Sequence, residues 1–65
     1  MEWYNIKGKK PNNNQIVLAS INGIYKIARF NGEKNELVEV ATGQPFVLED
    51  PHLSVYWTEI ENPAS

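Results

Sequence analysis

The Asn22-Gly23 pair limits what this chain can fold into more than any other feature, because it stands between two runs of bulky residues, Gln15 to Ile21 and Ile24 to Phe30. Asn and Gly accept the positive φ values that both central positions of a type I′ turn demand, so the dipeptide predicts a two-residue β-hairpin. In the first run Ile16, Val17, Leu18 and Ile21 suit a pleated surface. Ile16 to Ala19 is apolar at four successive positions, which predicts a central strand covered on both faces. The second run places Ile24, Lys26, Ala28 and Phe30 on one face and Tyr25, Ile27 and Arg29 on the other, and a second Asn-Gly pair, Asn31-Gly32, closes it.

Further strands follow at similar spacing. Leu37 to Ala41 reads as a third strand, and Thr42-Gly43-Gln44-Pro45 turns the chain. Phe46-Val47-Leu48 suits either a short strand or a buried plug, and Glu49-Asp50-Pro51-His52 reads as a turn. The last strand, Ser54 to Ile60, sets Val55, Trp57 and Glu59 opposite Tyr56, Thr58 and Ile60. Lys7 to Asn14 is polar, holds Gly8, Pro11 and three asparagines, and is expected to be a loop. No window carries a helical apolar repeat. The expectation is an all-β domain: a small antiparallel meander of four to five strands, which on curling becomes a partly open, SH3-like barrel.

A chain of 65 residues forms one compact domain, expected over 1–65 with 1–2 and 61–65 loose, and a domain of this size buries only about 60% of its unfolded surface. Without cysteine, no disulfide or thiolate zinc site can reinforce it. The core must come from packing, so Trp3 and Trp57 are both expected to be structural anchors. The longest apolar run is four residues against the roughly 20 a membrane span needs. Met1-Glu2-Trp3-Tyr4-Asn5 has no basic and apolar leader pattern, so a cytoplasmic chain without membrane contact is expected.

Residues for chemistry are scarce. His52 is the sole histidine, and a general-base role for it with Ser54 as nucleophile needs an orienting partner and an oxyanion site that one short turn does not supply. The acids lack calcium-loop spacing, and Gly8, Gly23, Gly32 and Gly43 lack any phosphate-loop pattern. No catalytic residue, metal ligand or cofactor is assigned. The six Lys and Arg residues all lie within 1–34, where two acids leave +4, while 35–65 carries six acids and no base, giving −6. Such a split describes either a basic face for an anionic partner or two halves that neutralise each other across one sheet, and charge patterns favour the second because solvated charge is common.

The anchors Trp3, Pro11, Ile16-Val17-Leu18, Ala28 with Phe30, and Tyr56-Trp57 leading to Pro63 resemble those of DUF551, a family of short bacterial and phage-encoded domains of unknown function. Tyr56 stands where that family commonly has His, and Lys10 where Leu often precedes the loop proline. The resemblance implies a small sheet domain, often of phage or prophage origin, and no activity.

These observations lead to a non-enzymatic interaction module, encoded by a phage or mobile element, that binds a protein through a sheet face or exposed edge, with Tyr4, Tyr25 and Tyr56 as candidate contacts. The alternative is a weak nucleic-acid binder using Lys7, Lys9, Lys10, Lys26 and Arg29, with Trp3 or Tyr25 stacking on a base. Self-association also stays open, since an unprotected edge strand can pair with a copy of itself.

Overall fold

The computed structural model describes residues 2–60; the expected loose tail at 61–65 lies outside them, as does Met1. It contains six strands: β1 (Tyr4–Asn5), β2 (Ile16–Ile21), β3 (Ile24–Asn31), β4 (Glu36–Glu39), β5 (Pro45–Val47) and β6 (Val55–Glu59). They form one antiparallel sheet in the order β1-β6-β2-β3-β4-β5. The sheet is open, with β1 and β5 as its edges. The expected all-β meander is present as β2-β3-β4-β5. The strand number exceeds the four to five expected because a two-residue β1 pairs Tyr4 with Trp57 and Asn5 with Tyr56 along the outside of β6.

The first Asn-Gly pair behaves as its chemistry predicts. Asn22 has φ 51° and Gly23 φ 86°, and the register runs without slip from Ile21 opposite Ile24 to Ile16 opposite Arg29. Strand boundaries elsewhere shift by a residue or more. β4 stops at Glu39, short of Ala41, because the Gly43 amide donates to the Glu39 carbonyl at 2.7 Å and folds residues 40–42 into a turn. Phe46-Val47-Leu48 serves both expected roles: the first two residues are in β5, and Leu48 is buried in the core.

Alternation puts Val17, Ala19, Ile21, Ala28, Phe30, Leu37, Val55 and Trp57 on one face, and all eight are buried. This is the core face. Strand direction determines what covers it. β5 and β6 run the same way, as do β1 and β2, so each pair needs a connection that travels the full length of the sheet. Both connections cross the core face. Residues 48–54 bring Leu48 into the core and Leu53 against it, and end where the Asn22 amide donates to the Ser54 carbonyl at 2.9 Å. Residues 6–15 bury Ile6 and Pro11 and are pinned where Trp57 Nε1 donates to the Lys9 carbonyl at 2.8 Å.

With both crossings on one side, no connection covers the other face, over which only Trp3 reaches in from the β1 edge. The sequence predicts a β2 covered on both sides, and the structure differs: β2 is central, but on its second face Ile16 is half exposed and Leu18 only partly buried, while Val17 and Ala19 are sealed. No helix among the described residues is long and apolar enough to cross a membrane.

Candidate functional site

The uncovered face is built from the other half of each alternation. Its register rows follow from the cross-strand pairs. Ile16 of β2, Arg29 of β3, Val38 of β4 and Pro45 of β5 form one row. Thr58 of β6, Leu18 of β2 and Ile27 of β3 form the next, which Val40 extends through its amide bond to the Ile27 carbonyl at 3.0 Å. Tyr56, Ser20 and Tyr25 form a third. Asn31, Glu36 and Val47 form the last, at the far end.

Most of these side chains are apolar, and several are well exposed: Tyr25 is 67% exposed, Ile27 50% and Tyr56 43%, while Leu18 and Val38 are half-buried. Trp3 is added from the edge, with its ring centroid 5.8 Å from that of Tyr25. Since β6 and β2 lie between β1 and β3, the indole reaches across two strands, and the hydroxyl-bearing Thr58 in that interval is buried. Eight of the nine exposed large apolar residues, all but Ile24, belong to this face. At about 150 to 250 Å² per aromatic side chain and somewhat less per aliphatic one, these residues together expose on the order of 700 Å² of surface.

Charge is sparse here. Arg29 and Glu36 are the charged side chains of the four rows, and they lie diagonally to each other with no ion pair among the described residues. Ile16, Arg29, Val38, Glu39, Val40 and Gly43 line a shallow cleft of about 190 Å³ beside the guanidinium.

Of the three tyrosines expected at a partner surface, Tyr25 and Tyr56 come together on this face and Tyr4 does not. Tyr4 points to the core side, its ring 5.0 Å from Trp57 and capped by Lys9 Nζ at 4.1 Å. The two tryptophans also part company. Trp57 is a buried anchor as expected, whereas Trp3 is exposed on the open face, which corrects the expectation that both serve the core. Ile16, Ile27 and Val40 are contributors that sequence reasoning assigned to a covered sheet or passed over. The double-sided apolar run of β2 is the signal for Ile16, and the alternation that sets Ile27 beside Tyr25 and Arg29 is the signal for Ile27.

The five candidate cations do not share a face. Lys7, Lys9 and Lys10 ride on the crossing over the core, Lys26 bonds Glu39 Oε1 at 3.1 Å on the core face, and Arg29 is on the open face. The Lys26–Glu39 pair joins the basic half of the sequence to the acidic half. His52 and Ser54 are exposed in the second crossing, where Asp50 Oδ1 accepts the His52 backbone amide at 2.9 Å and Asn22 Oδ1 accepts that of Ser54 at 2.7 Å. Those carboxylate and amide oxygens cap turns. Among the described residues no three His, Asp or Glu side chains gather to hold a metal.

No family model, curated protein or solved structure matches the chain. The resemblance to DUF551 therefore rests on the sequence anchors alone.

Proposed function

We infer that this chain is a non-enzymatic, cytoplasmic interaction module that binds a protein through the open face of its sheet. The observation that carries this is the placement of eight exposed apolar side chains, three of them aromatic, on one face of a domain whose other face holds the buried core. A 65-residue chain has little apolar area to spare, and leaving this much in water is costly unless a partner removes it. Tyr and Trp fit the role, because each offers a large contact area at a small cost in side-chain freedom. The resemblance to DUF551 supports a phage or mobile-element origin.

Nucleic-acid binding is less well supported. Trp3, Tyr25 and Tyr56 are suitable platforms for bases, but the face that holds them offers Arg29 as its cation, and binding a single strand needs a basic groove along the backbone as well.

The test is a quantitative comparison of proteins captured from host extract by the chain and by its Ile27→Glu variant. Because Ile27 is half exposed, the substitution leaves the core intact, yet it buries a charge in any complex formed over this face. Capture is expected to fall by at least about tenfold, the effect of 1.4 kcal/mol. Equal capture by both forms would remove a host protein as a partner of the open face. Titration with short single-stranded and duplex nucleic acid is expected to leave the amide spectrum unchanged.

A further inference from the structure

We propose that the occupant of the open face is a second copy of this chain, packed sheet against sheet as a symmetric dimer. The proposal rests on the reading of that face as an interaction surface and names its partner.

Three observations select a copy over an unrelated partner. The first is size. The surface these eight residues expose, on the order of 700 Å², is close to the roughly 800 Å² that each partner contributes to a standard interface. The second is shape. A single antiparallel sheet with one covered face is half of a β-sandwich, and two such sheets stack about 10 Å apart with interdigitating side chains. The four consecutive apolar residues of β2 are what a strand inside a sandwich needs, and in the single chain only Val17 and Ala19 receive that burial. The third is charge. The rows hold one cation and one anion, Arg29 and Glu36, so the face is electrically balanced and two copies meet without net repulsion. Each copy offers the other a guanidinium and a carboxylate that form no ion pair among the described residues. Reciprocal contacts of this kind are the mark of an isologous interface.

Sedimentation equilibrium of the full chain from low micromolar to near-millimolar concentration is the experiment. Dimerisation in the micromolar range is expected, with dissociation favoured at least about tenfold more in Ile27→Glu and in Tyr25→Lys, both with dispersed, native-like amide spectra. Charge variants give the more specific readout. Arg29→Glu makes the face doubly negative and Glu36→Arg makes it doubly positive, so each alone is expected to be monomeric while an equimolar mixture forms a heterodimer. A wild-type chain that stays monomeric throughout would overturn the second copy as occupant. A dimer indifferent to all four substitutions would do the same, by placing the contact elsewhere. Neither result touches the broader interaction reading, which fails only if capture from host extract and self-association are both the same for the chain and Ile27→Glu.

Discussion

At the residue scale the two Asn-Gly pairs show how far dipeptide chemistry carries. Asn22-Gly23 forms the two-residue turn that the sequence predicts, with both residues at positive φ. Asn31-Gly32 also ends its strand, but the positive φ moves three residues on, to Asn35, while Asn31 Oδ1 accepts the amides of Glu33 and Lys34. The same two letters thus make different turns, because four loop residues rather than two separate β3 from β4. A Cβ on Gly23 meets nothing within 4 Å, so Gly23→Ala isolates the backbone cost and is expected to destabilise by about 1 kcal/mol in urea unfolding. Asn35 presents the reverse case. Its Oδ1 is buried without a hydrogen-bond partner among the described residues, and its φ is 50°. Asn35→Gly removes both burdens and is expected to stabilise by about 1 kcal/mol; a loss of that size would mean the amide is satisfied in solution.

At the scale of elements, the strands were legible and the crossings were not. Alternation in β3 and β6 assigned each side chain to its correct face, because period-two patterning is a local property of the chain. Which face a connection crosses depends on strand order, and strand order is not encoded in any local window. That is why Trp3 was read as a core residue and Ile16 as covered, and why Tyr4, so similar in sequence to Tyr25 and Tyr56, is packed beside Trp57. The first crossing depends on Trp57. Trp57→Phe deletes the bond to the Lys9 carbonyl and part of a fully buried ring, and is expected to cost about 2 to 3 kcal/mol. Amide exchange in residues 6–15 should accelerate more than in the β3–β4 hairpin, which has no contact with that bond. Uniform acceleration would show that the crossing does not open on its own.

For the whole molecule, the asymmetry of the two faces is the main result. The charge split of the sequence is used partly inside the chain, through Lys26 and Glu39, and leaves the open face nearly uncharged. Stability and association should therefore be linked. Because a dimer removes the exposed apolar face from water, Tm is expected to rise with protein concentration for the chain and to stay constant for Ile27→Glu. A Tm independent of concentration in both would argue against self-association. The measurement that tests the central claim most directly is an amide NMR dilution series from millimolar to low micromolar protein. Concentration-dependent shifts are predicted at Ile16, Leu18, Tyr25, Ile27 and Tyr56, with residues 6–15 and 48–54 unchanged. A spectrum that does not move, or one that moves in those two crossings, would contradict it.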